Sequence, residues 1–312
     1  MKYIVKKIAT LIITLLLVTF ITFLAFQIIP GDSAVTSLGT SATKEAIEAL
    51  REQMGLNENV IVRYFNWIGG TLHGDFGESA RFNMPVSQLI QDRLPVTIWL
   101  AVLSMIIIVV ISIPLGIVSA KKEEGSIDRI ITLFTHAAMA IPPFFLGIII
   151  TLVFGILLKW FIPGRFVNPK DDIIGSIRYL MFPAFAIAIP KIAMVVKFLR
   201  SSLLRQLKLD YVRTARSKGN LENVILYRHV LKNAFIPVIT FLGMITADVL
   251  AGSIIIEQVF SLPGLGNLLV LAISNRDYAV VQTIILYIAA VVIVVNFIVD
   301  MIYQWIDPRV RV

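Results

Sequence analysis

The sequence predicts an all-α polytopic membrane protein with six transmembrane helices and a polar outer segment after the first. Three observations predict it. The 312 residues are 57% hydrophobic and 15% charged, against roughly 45–50% and about 25% in soluble domains. The apolar residues fall in separated runs long enough to cross about 30 Å of hydrocarbon. With both termini inside, the cytoplasmic side carries sixteen Lys and Arg against seven Asp and Glu, and the outer loops ten against twelve, as the positive-inside rule requires.

The first span, Ile8 to Ile29, follows Lys2, Lys6 and Lys7. It exceeds the apolar core of about 7–15 residues found in signal peptides and no small-residue cleavage site follows, so it is expected to stay as an anchor. Further spans are read at Val96 to Ala120, Ile130 to Leu158, Tyr179 to Leu199, Ala234 to Ile256 and Ala279 to Tyr303. The chain then divides into an N-terminal anchor helix (1–29), an extracytoplasmic segment (30–95), a five-helix core (96–304) with a cytoplasmic loop at 200–233, and a cytoplasmic tail (305–312). Prolines 114, 142, 143, 183, 190 and 237 are expected to interrupt or bend the later spans, because each removes a backbone donor.

Within the outer segment, Thr43 is placed to cap a helix over Lys44 to Met54, with Ile47, Leu50 and Met54 on one face, Gly55 as its stop and Leu56 packing back on Leu50. A metal site from His73, Asp75 and Glu78 is conceivable, but a lone His beside carboxylates is usually just a loop, and no metal is assigned. The expected role is a small cap over the outer mouth of the bundle, able to receive a delivery protein.

The cytoplasmic loop reads DYVRTARSKGNLENVILYRHVLKNAFIPVI from Asp210 to Ile239. Asp210 is a good helix cap, Tyr211 to Lys218 make about two turns, and Gly219 supplies the stop. Asn220 is placed to cap a second helix that runs toward the membrane until Pro237. A surface helix pair meeting anionic lipid would explain the basic charge, at about 1 kcal/mol for each basic residue. Small Ala215 and Gly219 favour a docking surface instead, because they permit close approach by another backbone.

Several activities are excluded or disfavoured. The chain has no cysteine, which removes thiolate catalysis and cysteine-ligated zinc. It has no GxxxxGK[ST] cradle for nucleotide phosphates and no HExxH or GxSxG run, so no catalytic residue is assigned. The net charge of +8 reads as a topology signal rather than as nucleic-acid binding. A free-standing channel or secondary transporter should show polar pore rings or repeats, which are not found.

Co-linear motifs then extend the reading. PGDSA at 30–34, MGL at 54–56, RYFNW at 63–67, GDFGES at 74–79, RLPVT at 93–97, EQVFSLPGLGNLL at 257–269, RDYAVVQ at 276–282 and DPRVR at 307–311 resemble the permease subunits of bacterial oligopeptide, dipeptide and nickel ATP-binding-cassette importers, of the first-permease type. The resemblance covers nearly the whole chain. It implies the type I ABC importer transmembrane fold, the bacterial cytoplasmic membrane with both termini inside, a second homologous permease, two ATPase subunits or domains that bind ATP and Mg, an extracytoplasmic substrate-binding protein, and contact with membrane lipid. No cofactor is implied in this chain. The family's short cytoplasmic helix, loosely Glu-Ala-Ala, three residues, then Gly, falls on Arg213, Thr214, Ala215 and Gly219. Arg replaces Glu and Thr replaces the first Ala. Of the motif's later Ile, Leu and Pro, at His229, Leu231 and Lys232, only Leu231 agrees.

The resemblance thus implies ATPase docking through Asp210, Tyr211, Arg213, Thr214, Ala215, Lys218 and Gly219, and a cargo of dipeptide, longer oligopeptide, nickel or chelate. Ionisable residues at membrane depth are functional candidates. Asp248, followed by Ser253, either lines a polar pathway or makes an interhelical hydrogen bond. Lys197 can snorkel, Lys191 either does the same or faces the bundle interior beside Pro190, His136 reads as a packing residue, and the PGLG turn at Pro263 to Gly266 reads as a re-entrant or surface turn.

Overall fold

The computed structural model describes residues 2–28, 43–53 and 57–306, and helices dominate it. In chain order the elements are α1 (Lys2–Ile28), α2 (Lys44–Gln53), α3 (Val60–Leu72), a hairpin of β1 (Glu78–Ser79) and β2 (Met84–Pro85), α4 (Val86–Lys121), α5 (Ser126–Ala140) and α6 (Pro143–Leu157). They continue with α7 (Ile173–Leu207), α8 (Asp210–Ser217), α9 (Glu222–Val259), α10 (Leu265–Ser274) and α11 (Tyr278–Ile306). Among the described residues five helices, α1, α4, α7, α9 and α11, are long and apolar enough to span a bilayer, and α5 with α6 makes a sixth span bent by 97°. The six spans match the expectation from sequence.

The bend has a local cause. Ile141 and Pro142 are both extended, with ψ of 121° and 142°, because each precedes a proline whose ring disfavours the helical region. Pro143 then opens α6 at a position where its missing N–H is not needed. The other prolines do not interrupt their helices. Pro114, Pro183, Pro190 and Pro237 all lie inside continuous helical segments, so the expected interruption holds only at the double proline. Freed carbonyls in spans find other partners, and one missing N–H does not end a helix packed on several sides.

The chain forms two compact units, Met1–Thr97 with Pro263–Ile293, and Ile98–Leu262 with Val294–Val312. In the first, the Thr19 and Tyr64 hydroxyls lie 2.9 Å apart in a buried contact between α1 and α3. Phe20 and Phe23 meet the Tyr64 ring edge-on, and Trp67 stacks on Phe23. Ser79 donates to the Asp277 carboxylate, which also accepts from the Arg81 N–H at 3.3 Å, and so the hairpin is tied to the residue before α11. Thr43 caps α2 as expected, accepting from the Ala46 N–H at 3.3 Å. The expected stop at Gly55, the positions of Met54 and Leu56, the Leu50 side chain, the PGDSA motif and the tail from 307 lie outside the described residues.

The PGLG segment differs from its reading as a re-entrant or surface turn. Gly264 is the extended cap of a ten-residue helix, α10, whose Leu265, Gly266, Leu268 and Leu269 are buried. Thr97 Oγ1 accepts from the Leu265 N–H at 2.8 Å and satisfies one of the free donors at its start. The apolar run was too short to announce a span.

In the second unit α7 lies at the centre, packed against α5, α6 and α9. Its buried Ala184, Ala186, Ala188 and Ala193 let neighbouring backbones approach closely. Tyr179 at the opening of α7 donates to Phe260 O at 3.0 Å and accepts from Gly164 N–H at 3.1 Å, while its ring meets Phe161 and Phe166 edge-on. Gly243 on α9 faces Val299 on α11 so closely that a Cβ there would lie 2.6 Å from a valine methyl. Gly243→Val should therefore destabilise the purified chain by about 1–3 kcal/mol through overpacking. An unchanged thermal midpoint in detergent would contradict this packing.

Candidate functional site

The loop from Arg200 to Asn233 forms a compact projection. α7 ends at Leu207, two residues turn the chain, and α8 follows as two turns from Asp210 to Ser217. Only Val212 and Ala215 of α8 are buried. They seat the helix on the start of α9, where Ile225, Leu226 and Val230 are buried in a π-helical stretch, Ile225–Val230. The remaining face of α8, with Arg213 and Asp210 at 79% and 95% side-chain exposure, is open. Their 3.6 Å ion pair is too exposed to matter much for stability.

Both ends of α8 are clamped by its own chain. At the start, the Tyr211 hydroxyl donates to Gln206 Oε1 on α7 at 2.9 Å. At the end, Gly219 has φ +79°. Its N–H donates to Arg216 O at 2.9 Å and the Asn220 N–H reaches Ala215 O at 3.4 Å, the paired bonds of a Schellman motif. Asn220 Nδ2 also donates to Ala215 O, at 3.0 Å. Arg216 then holds Glu222, the first residue of α9, through two bonds of 2.7 and 3.0 Å. The Glu222 carboxylate raises the Arg216 guanidinium above its ordinary value, chiefly by hydrogen bonding.

Three local expectations change. Asp210 is the first helical residue rather than the cap; Leu209 occupies the cap with no side-chain bond, and Asp210 lies in the first turn, where the helix dipole favours it. Asn220 closes α8 instead of capping α9, whose cap is Leu221. Ala215 is buried against its own chain and is not offered to a partner, whereas a Cβ on Gly219 would meet nothing within 4 Å. Lys218 forms the end of α8, its N–H bonded to Thr214 O at 3.2 Å. Thr214 turns its hydroxyl back onto Asp210 O at 3.1 Å.

A network that sequence reasoning missed anchors this projection. Asp128, 3% exposed, accepts from Arg200 Nε at 2.7 Å and Nη2 at 2.6 Å. It also accepts from Ser119 Oγ and from the Glu124 N–H at 3.0 Å. Glu124 has φ +62°, a conformation costly for a residue with a side chain, in the turn whose N–H reaches the carboxylate. The turn between α4 and α5 is thus fixed to the last part of α7, just before the projection. Ser202 Oγ donates to Ala234 O at 3.0 Å and ties α7 to α9 at the same level.

Within the apolar part of the unit, Lys191 on α7 and Asp248 on α9 form a 2.8 Å ion pair, with side-chain exposures of 17% and 56%. The interhelical bond is therefore present, and the carboxylate still faces outward. Ser253 differs from the expected pathway role: it is fully buried and its hydroxyl donates to Leu250 O at 2.7 Å in its own helix, so it lines no surface of this chain. His136 lies 3.5 Å from Lys197, a contact at the limit of a hydrogen bond. The His73 ring lies 2.8 Å from Gly69 O, and Asp75 accepts from the Gly77 N–H at 2.9 Å, so local turns engage both side chains.

Comparison with known proteins places these features in context. A family model described as "Binding-protein-dependent transport system inner membrane component" matches residues 112–312. A second, described as the N-terminal part of such a membrane component, matches residues 1–101. The chain is 38% identical to the oligopeptide transport system permease protein AppB of Bacillus subtilis, over 99% of each chain. It is 34% identical to a probable peptide ABC transporter permease protein of Sinorhizobium fredii over 99% of each. To the dipeptide transport system permease protein DppB of Alkalihalophilus pseudofirmus it is 35% identical, over 100% of this chain and 99% of that one.

Proposed function

This chain belongs to the family of binding-protein-dependent transport system inner membrane components, and from that membership we propose that it is the permease of an ATP-driven peptide importer. It is a multi-pass membrane protein with the type I ABC importer fold. With a second, homologous permease it forms a pathway for dipeptides or oligopeptides across a bacterial cytoplasmic membrane, both termini inside. The peptide cargo follows from the names of its relatives over their full lengths. An extracytoplasmic binding protein delivers cargo, and two ATPase subunits or domains, holding ATP and Mg, supply the work.

The observation that carries this reading is the clamped projection α8, with Asp210 and Arg213 on its open face and Gly219 unobstructed at its end. A helix held at both ends by its own chain moves as a unit when a partner grips it. Closure of the ATPase pair displaces α8, the Arg200–Asp128 tie carries the displacement to α4 and α5, and the spans reopen on the opposite side. The chain itself performs no hydrolysis.

The absence of native cysteine gives a direct test. A single cysteine at Arg213 (Arg213→Cys) should crosslink to a cysteine-reactive probe on the ATPase subunit in the assembled transporter, with a yield that changes when ATP is added. A cysteine at exposed Trp160 (Trp160→Cys), on the outer side in this topology, should not. Equal labelling of the ATPase from both positions, or none from Arg213→Cys, would remove the docking assignment.

A further inference from the structure

The Lys191–Asp248 pair lies well inside the apolar stretches of α7 and α9. A carboxylate with 56% of its side chain exposed cannot face hydrocarbon at that depth, because a charge there is costly unless it meets water or protein. The exposed positions beside it form a helical stripe, Met244, Asp248, Ala251 and Ile255. A Cβ added to Gly252, one turn on, would meet nothing within 4 Å. The stripe therefore borders open space rather than a packed neighbour of its own chain.

The pair also has unused capacity. Lys191 Nζ donates to Asp248 Oδ2, and among the described residues neither side chain has another polar partner. An ammonium has three donors and a carboxylate about four acceptor sites, so most of both remains available. We infer that Lys191 and Asp248 form an exchange site for the termini of a zwitterionic peptide. Asp248 takes the cargo's ammonium and Lys191 its terminal carboxylate as the pair opens, and the two side chains re-pair when the cargo leaves.

Charge balance is what recommends this arrangement. Opening an ion pair at membrane depth strands two charges, which is strongly unfavourable. A zwitterion replaces each lost partner with one of the same sign, so the site stays neutral in both states. A peptide blocked at one end cannot do this, because one side chain would remain unpaired.

This inference rests on the peptide reading of the pathway, and the two can be tested apart. The assembled transporter in proteoliposomes, with its binding protein, is given a free dipeptide, the same dipeptide N-acetylated, and the same dipeptide C-amidated. Because the substitutions lie in the permease, selectivity contributed by the binding protein cancels when variants are compared with the unmodified transporter.

Asp248→Asn should lower uptake of the free dipeptide at least about tenfold, equivalent to about 1.4 kcal/mol, with a much smaller effect on the N-acetylated form. Lys191→Gln should do the same relative to the C-amidated form, and Asp248→Glu should keep the unmodified preference. A uniform fall for all three peptides, or an unchanged ratio in both neutral variants, would overturn the exchange site while leaving peptide import standing. If Asp248→Asn does not assemble, the Lys191→Gln ratio decides. Absence of peptide uptake by the unmodified transporter would overturn both readings.

Discussion

Gly219→Val is expected to abolish uptake and ATPase association while the chain still reaches the membrane in normal amount. Two effects combine in this variant. Gly219 has φ +79°, where a β-branched residue is strained by about 1–3 kcal/mol, enough to loosen the two bonds that close α8. Its surroundings within this chain are empty to 4 Å, so added bulk collides with nothing until a partner arrives. Gly219→Asn separates the effects, because Asn tolerates the left-handed conformation yet still projects a side chain. If close approach by the ATPase is the reason for glycine, Gly219→Asn loses co-purification with the ATPase as well. Full uptake by Gly219→Asn would reduce the glycine to a conformational role, and full uptake by Gly219→Val would end the docking proposal.

The second large effect is expected at Asp128. It is buried, and its carboxylate holds the Arg200 guanidinium bidentately with Ser119 and the Glu124 N–H as further donors. Asp128→Ala leaves a guanidinium that is 27% exposed, the Ser119 hydroxyl and the Glu124 N–H without their acceptor, a loss of about 1–3 kcal/mol. The thermal midpoint of the purified transporter should fall by several degrees, and the amount in the membrane should drop. Arg200→Lys should be intermediate, since an ammonium cannot reproduce the two-pronged contact. The double variant Asp128→Leu with Arg200→Met removes both charges and should recover much of the stability. If the tie carries force from α8, the double variant still hydrolyses ATP with little uptake. Uptake restored along with stability would make the network purely structural.

The spans were legible because a bilayer demands long apolar runs, and a run such as Ile8 to Ile29 admits few other readings. The two turns of α8 were legible as well, since Gly219 marks their end in the sequence. Other features depend on residues far apart in the chain. Asp128 reads in isolation as a loop acid near a span, and only Arg200 makes it a buried anchor. Lys191 and Asp248 lie 57 residues apart in the chain, and their significance lies in the contact between them. Pro142–Pro143 resembled the other prolines by composition, but consecutive rings force an extended backbone where a single ring is absorbed. α10 is hard to read in the sequence because its ten mostly apolar residues beside a Pro-Gly turn satisfy neither the length of a span nor the polarity of a loop. The small size of Ala215 is legible in the sequence, whereas the inward face it occupies is set by packing against its own chain.

The π-helical stretch at Ile225–Val230 carries a consequence for how this family can diverge. A π turn accommodates one residue more than the α-helix around it, and each residue of an α-helix advances the phase by about 100°. Loss of one residue there would restore a regular helix and leave the phase of the following span nearly unchanged, because the wide turn has already absorbed the extra residue. Loss of one residue from the regular helix beyond it would instead swing Asp248 away from Lys191, or Gly243 away from Val299, by that amount. The irregular turn is therefore a place in this helix where a single-residue length change is tolerated much as it is in a loop.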